Sequence, residues 1–145
     1  HDVEDLLLRY ANEAGKAGYD LIAGHGVLSL GRLENKDNKN YSDPALVGYY
    51  FGESGLVSGT MPFEVIIQNQ GNTWLDNLSL VVGYLGSEKK FRINNLAPAE
   101  IRTEKLYLQG SEVDEFLQID SRLIISSGAK DDRPENNVRK STIRF

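Results

Sequence analysis

The stretch "PFEVIIQNQGN", residues 62–72, decides the fold of this chain. Phe63, Val65 and Ile67 recur at every second position, which is the side-chain period of a β-strand. The β-branched residues favour the same conformation. NQGN (69–72) then supplies turn residues, among them a glycine that can adopt positive φ. The stretch therefore predicts a half-buried strand that ends in a tight turn.

Six more apolar runs with turn residues between them lie on either side of this strand. They are ALVGYYF (45–51), LSLVVGYL (78–85), EKKFRI (88–93), IRTEKLYL (101–108), QIDSRLIIS (118–126) and NVRKSTIRF (137–145). Leu78, Leu80, Val82 and Tyr84 again share one face, and NNLAPAE (94–100) reads as a turn. Short strands at this spacing predict a mainly β chain with an immunoglobulin-like antiparallel β-sandwich of about seven strands.

The first 36 residues follow a different pattern and predict an N-terminal helical segment. Their apolar side chains recur at helical spacing over residues 2–14, namely Val3, Leu6, Leu7, Tyr10, Ala11 and Ala14. Gly15 would end this helix at its C′ position, and Ser29 would cap a short second helix through Leu33. Residues 37–44 are polar and end in proline. The sequence thus divides into a segment 1–36, a linker 37–44 and a sandwich 45–145.

Composition excludes several classes of function. The formal net charge is -5 and no basic stripe is present, which argues against nucleic acid as the main partner. No apolar run reaches the roughly 18 residues of a membrane span. Cysteine is absent, so disulfides and thiolate metal sites are excluded. His25, between two glycines, is interpreted as a structural histidine because it has no second imidazole with which to share a metal.

Two groups of side chains invite a functional interpretation. The loop GAKDDRPENN (128–137) gathers Asp131, Asp132, Glu135, Asn136 and Asn137. We interpret it as an Asx-type turn, with Ca²⁺ binding as the alternative. Trp74 with Tyr49 and Tyr50 is either a ligand platform or packing at the end of the sandwich. We assign no catalytic, cofactor-binding or metal-binding residue from the sequence.

Residues 2–35, DVEDLLLRYANEAGKAGYDLIAGHGVLSLGRLEN, resemble the carboxy-terminal end of the subtilisin-like serine protease (subtilase) catalytic domain. Val3 to Ala14 is similar to that family's penultimate helix, and residues 24–28 to its G-x-G stretch. Ser29 stands where the family has Asn or Asp, and Leu33 where it has Ala. The family's Asp, His and Ser triad lies upstream of such a segment, so the resemblance assigns no catalytic residue here. The SGTM sequence before the strand at 62–69 lacks the serine of the family's G-T-S-M-A-x-P stretch and leads into a strand instead of a helix.

Residues 43–145 resemble the CARDB/APHP type of bacterial immunoglobulin-like domain. The resemblance is carried by DPALVGYYF (43–51), FEVIIQNQGN (63–72), INNLAPAE (93–100) and DDRPENN (131–137). It implies an accessory or adhesive module of a secreted bacterial protein, often appended to a hydrolase.

Together the two resemblances imply the non-catalytic C-terminal portion of a secreted, extracellular or cell-surface, subtilisin-like protease. The expected partner is the upstream catalytic domain, packed on Val3, Leu6, Leu7 and Tyr10, while the helix face could instead pack on the sandwich. One alternative is a stand-alone adhesion or ligand-binding module that recognises a protein or cell-surface ligand. Another is a structural subunit that pairs through its last strand.

Overall fold

The computed structural model describes residues 2–52, 59–110 and 115–144. Two short helices and two very short strands precede the sandwich: α1 (Asp2–Arg9), β1 (Ala11–Asn12), β2 (Val27–Leu28) and α2 (Leu30–Glu34). The sandwich strands are β3 (Pro44–Phe51), β4 (Thr60–Asn69), β5 (Leu78–Tyr84), β6 (Ser87–Ile93), β7 (Ile101–Gln109), β8 (Phe116–Ile124) and β9 (Val138–Arg144). Each of the seven strands predicted from the sequence is confirmed, and the chain is mainly β.

The seven strands form two antiparallel sheets that pack face to face. One sheet has the order β3-β4-β7 and the other the order β6-β5-β8-β9. The alternating residues of β4 and β5 point between the sheets, as predicted, and are nearly all buried there: Phe63, Val65, Ile67, Leu78, Leu80 and Val82. Interdigitation of two inner faces is the core of an immunoglobulin-like sandwich, so the predicted fold class is confirmed.

The two sheets meet along β3 and β9 without a backbone ladder between these strands. Val47 is bulged out of the β3–β4 pairing, which shifts between Leu46 and Gly48. The carbonyl of Val47 accepts a hydrogen bond from Arg139 Nη1 on β9 at 2.8 Å. The Tyr49 hydroxyl crosses between the sheets to Ser121 Oγ at 2.8 Å and to Arg139 O at 3.1 Å. Side chains therefore close this corner.

The predicted helix over residues 2–14 is too long, because α1 ends at Arg9. Ala11 and Asn12 instead pair with Val27 and Leu28 as the strands β1 and β2. Gly15 has φ +79° but stands in a loop and not at a helix end. Helical spacing of small apolar residues did not reveal that a partner strand lies 15 residues further along the chain. The second short helix is confirmed, with Ser29 Oγ accepting from Arg32 N at 3.3 Å.

The turn after β4 needs Gly71 because another backbone segment lies close to it, whereas the sequence had suggested a need for positive φ. A Cβ on Gly71 would lie 2.7 Å from both Asp43 N and Tyr41 O, so only glycine admits this close backbone approach. The approach fixes the segment before β3 against the turn, and Gln70 N donates to Asp43 O at 2.8 Å. In the described part of the chain no helix is long and apolar enough to cross a membrane.

Candidate functional site

The N-terminal segment, residues 2–36, is attached to the sandwich by one buried arginine. Arg32 is 2% exposed and donates to three backbone carbonyls. Its Nε contacts Gln70 O at 3.0 Å, its Nη2 contacts Arg9 O at 3.1 Å, and its Nη1 contacts Ala11 O. Burial lowers the pKa of Arg32 to about 10, and the attraction of Asp43 opposes that shift. The planar guanidinium suits this role because it donates in several directions from one rigid group.

Gln68 provides a second attachment, on the outer face of β4. Its Oε1 accepts from Glu13 N at 2.9 Å, and its Nε2 donates to Ala11 O at 3.2 Å. Ile66 lies two residues away on the same face of the strand and is fully buried. The N-terminal segment therefore contacts the outer face of the three-stranded sheet at the end of β4 near Gln68, and Tyr10 and Ala11 of the segment are buried.

Two carboxylates fix the loop between β1 and β2. Glu13 accepts from Ala14 N and Gly18 N, each at 2.8 Å. Asp20 accepts from the backbone N–H groups of Lys16, Ile22 and Ala23 at 3.1, 2.7 and 2.6 Å. The hydrogen bonds from Ala23 and Ile22 hold the pKa of Asp20 below its usual value. The loop thus has a defined shape that does not depend on a hydrophobic core of its own.

This fixed loop presents apolar side chains to solvent. Leu21 is 94% exposed and Ile22 is 99% exposed. Large exposed apolar side chains in the described residues are concentrated before residue 31: Val3, Leu7, Leu8, Tyr19, Leu21, Ile22, Val27, Leu28 and Leu30. The longer sandwich region contributes only Trp74, Leu85, Tyr107, Phe116, Ile124 and Val138. Contiguous exposed apolar side chains are typical of interaction surfaces. We call the nine residues between 3 and 30 the apolar surface.

The helix face expected to pack on a partner lies partly within this surface. Val3 and Leu7 are exposed, Leu6 is half-buried, and Tyr10 is buried. The Tyr10 hydroxyl donates to Lys36 O at 3.3 Å, and its ring faces the Arg32 guanidinium at 5.8 Å. The contacts of Tyr10 are therefore made within the N-terminal segment itself, while Val3 and Leu7 are left exposed. Leu21 and Ile22 could not be identified from the sequence, because two apolar residues in a glycine-rich loop have no periodicity.

The remaining sequence candidates do not come together as a site. Tyr49 points into the space between the sheets. Tyr50 follows it on the opposite face of β3 and contacts Lys16 at 5.9 Å. Because adjacent strand residues point in opposite directions, these tyrosines cannot form one platform with exposed Trp74. His25 lies against the ring of Tyr19 at 5.0 Å. Thr60 begins β4, in line with the interpretation of this stretch as a turn that enters a strand.

The 128–137 loop has the hydrogen bonds of an Asx-type turn. Asp131 Oδ1 accepts from Arg133 N at 2.9 Å. Asp132 Oδ2 accepts from Ser42 N at 2.9 Å, which lowers the pKa of Asp132, and its Oδ1 pairs with Lys130 at 2.9 Å. Glu135 pairs with Arg133 at 3.2 Å. No three acidic or histidine side chains among the described residues gather as a metal cluster.

Comparison with known proteins finds the fold but no close sequence relative. No family model matches the chain, and no curated protein matches it. The crystal structure of a Pyrococcus furiosus CARDB domain in complex with di-metal ions is similar, with TM-score 0.58 and 16% identity over 72% of this chain and 88% of that one. A solution NMR structure of the same domain gives TM-score 0.56 and 15% identity over 72% and 95% of the two chains.

These neighbours define the class of fold to which the chain conforms. It is an immunoglobulin-like β-sandwich of the CARDB type, as the resemblance of residues 43–145 implied. At this level of identity the likeness concerns the fold alone. The coverage of 72% also leaves more than a quarter of the chain without a counterpart in those structures.

Proposed function

We propose that this chain is the non-catalytic C-terminal portion of a secreted subtilisin-like serine protease. In this proposal the CARDB-like sandwich is an accessory module, and the segment 2–36 is its contact with the upstream catalytic domain. The observation that carries the proposal is the apolar surface, which is held in a defined shape and left uncovered. The resemblance of residues 2–35 to the end of a subtilase domain supplies the identity of the partner.

The construction of the segment supports a role in docking. Arg32 and Gln68 attach it to the sandwich, and Glu13 and Asp20 fix its loop. Leu21 and Ile22 are held exposed by this fixed loop, beside Tyr50 and Phe51 of β3. A preformed apolar tip loses little conformational freedom when it enters a complementary pocket, which favours tight association. Burying two such side chains contributes roughly 3–6 kcal/mol before the costs of association.

The first experiment is to sequence the native polypeptide upstream of residue 1. A G-T-S-M-A-x-P-like stretch that leads into a helix is the expected result, because the subtilase triad lies before a segment like this one. A signal peptide or an unrelated domain there would contradict the protease assignment. The sandwich and its loops would then be tested as a stand-alone adhesion or ligand-binding module.

The second experiment tests docking in the whole polypeptide. L21S/I22S removes the apolar tip without touching Glu13, Asp20 or Arg32. We expect several-fold faster thermal inactivation of the protease activity than in the unmodified polypeptide. V138S is the matched control, since Val138 is an exposed aliphatic residue on the edge strand β9, and it should inactivate at the unmodified rate. Equal inactivation of all three proteins would refute docking through this surface.

A further inference from the structure

The outer face of the four-stranded sheet carries an open depression at the end of β5. Its volume is about 820 Å³, and residues of all four strands line it. Because Val82 points into the core, its neighbour Gly83 faces outward and contributes only backbone to this lining. Gly83 pairs with Glu88 on one side and with Asp120 on the other. The depression therefore lies over the middle of the sheet and not at a free edge.

Neither the backbone nor the packing requires a glycine at position 83. Its φ is not positive, and a Cβ there would lie 3.5 Å from its nearest neighbour, the carbonyl oxygen of Asp120, which is an ordinary van der Waals distance. A glycine inside a strand weakens that strand, and it often marks a place where a ligand approaches the backbone. The space that Gly83 leaves open thus has no structural benefit to set against this weakening.

The hairpin beside the depression contains a second unfavourable residue. Leu85 and Gly86 connect β5 to β6, and both have positive φ, at +50° and +71°. A two-residue turn of this kind favours Asn-Gly, because a bulky side chain is strained at positive φ. Leu85 is nevertheless 40% exposed and lines the depression, as does Phe116 of β8, which is 53% exposed. Residues that break local rules without a gain to the fold are expected at functional sites.

The polar side chains that remain available around the depression are uncharged. The two carboxylates that flank Gly83 are paired with Arg122 and Lys140, at 3.0 and 3.2 Å. Within the described part of the chain, the side chains of Gln118 and Thr142 have no hydrogen-bond partner, and they lie opposite each other on β8 and β9. Apolar walls with a few neutral hydrogen-bonding groups suit an uncharged ligand that has hydroxyl groups and an apolar face, as a sugar ring does.

An extended peptide fits the depression less well than a sugar. Peptides add to a sheet through main-chain hydrogen bonds at a free edge, whereas β5 and β8, which lie beneath the depression, are each paired on both sides.

We propose that this depression binds the sugar units of an uncharged polysaccharide. In this site Phe116 and Leu85 pack against the apolar face of a sugar ring, and Gln118 and Thr142 form hydrogen bonds with its hydroxyl groups. The proposal does not depend on the protease assignment, because the N-terminal segment contacts the other sheet through Gln68.

Affinity electrophoresis of the whole chain in native gels tests this binding. The uncharged probes are hydroxyethylcellulose, arabinoxylan, laminarin and dextran. We expect at least one of them to retard the unmodified chain, and F116A to bind that polysaccharide about tenfold more weakly, because an aromatic contact is lost. W74A is the matched control, since Trp74 is an exposed aromatic residue in the turn before β5 and does not line the depression. Retardation by none of the four probes, or an equal loss in W74A, would overturn the proposal. Retardation only by polygalacturonate or only by gelatin would overturn it in favour of a charged or a peptide ligand.

Two further variants separate a binding site from an ordinary surface. G83A and L85N each introduce a residue that the local backbone accepts better, so each should melt about 1–4 °C higher than the unmodified chain. Both should bind the polysaccharide more weakly, because G83A fills part of the depression and L85N removes an apolar wall. G48A is the control at a strand glycine outside the depression and should leave binding unchanged. Lower melting temperatures in G83A and L85N would mean that these residues serve the fold, and unchanged binding in both would refute the site.

Discussion

Replacing Arg32 by methionine tests whether one side chain holds the N-terminal segment to the sandwich. R32M keeps a stem of similar length in the buried channel and removes every donor. Ala11 O retains the hydrogen bond from Gln68, whereas Arg9 O and Gln70 O lose the donor that Arg32 provides. The substitution therefore leaves two carbonyls unsatisfied and does not open a cavity.

The expected change in the free energy of unfolding of R32M is the sum of two opposing contributions. Hydrogen bonds to a charged group contribute roughly 1.5–3 kcal/mol each, so the two lost bonds cost about 3–6 kcal/mol. The buried charge is itself unfavourable, since the pKa of Arg32 falls from 12.5 to about 10, which corresponds to roughly 3 kcal/mol. Methionine removes that penalty. We expect a net loss of stability of roughly 0–3 kcal/mol.

Urea denaturation measures the global stability, and hydrogen exchange locates the loss. The amide of Glu13, which donates to Gln68, should exchange much faster in R32M, while amides in the middle of β4 should change less. R122M is the matched control, because Arg122 makes only a half-exposed ion pair with Glu88 and should change stability by less than about 0.5 kcal/mol. Unchanged exchange at Glu13 in R32M would refute the attachment described here.

Two further predictions concern the segment before β3. Burial raises the pKa of Tyr41 from 10.0 to about 12, so the unfolded chain loses this proton first, and the contribution of Tyr41 to stability falls by about 2–3 kcal/mol as pH rises from 10 to 12. Y41F should lack this decline when it and the unmodified chain are each unfolded in urea at pH values between 10 and 12. Arg32 contributes the opposite slope to the stability of both proteins, so the difference between their curves reports Tyr41 alone. Parallel curves for the two proteins would contradict the assignment. G71A should lower the melting temperature by several degrees, because the added methyl group would lie against backbone atoms on two sides. G31A is the control, since a Cβ on Gly31 in α2 has no other atom within 4 Å. If G71A melted as high as G31A, the close approach at residue 71 would not constrain the fold.

The sandwich could be predicted from the sequence because the period-two pattern of apolar residues in a strand indicates which of its faces is buried. The alternation of Phe63, Val65 and Ile67 is a local pattern in the sequence. It matches the burial in the folded chain because each face of a strand lies in a single environment. The ends of α1 could not be predicted in this way. Ala11 belongs to a strand only because Leu28 pairs with it, and that pairing is not local in the sequence.

The buried polar groups escaped prediction for a related reason. Arg32 and Gln68 look like ordinary surface residues in the sequence, since nothing local indicates that each will meet a backbone carbonyl of the N-terminal segment. Asp43 looked like part of a linker and is instead fully buried. The loop at 128–137 was recognised, but the amide of Asn136 donates to Asp43, the residue before β3, which only the folded chain brings near.

The corner where β3 meets β9 has a consequence for the order in which the sandwich comes apart. A closed barrel would carry a continuous ladder there, with every amide shielded until many bonds break together. Here the closure between the strands themselves depends on Arg139 and Tyr49, whose three hydrogen bonds can be lost one at a time. Just before the two strands, a backbone bond from Asp132 N to Ser42 O still joins the segments at 2.7 Å. We therefore expect the middle of this corner, beside Ser121, to open more easily than the ladders within each sheet.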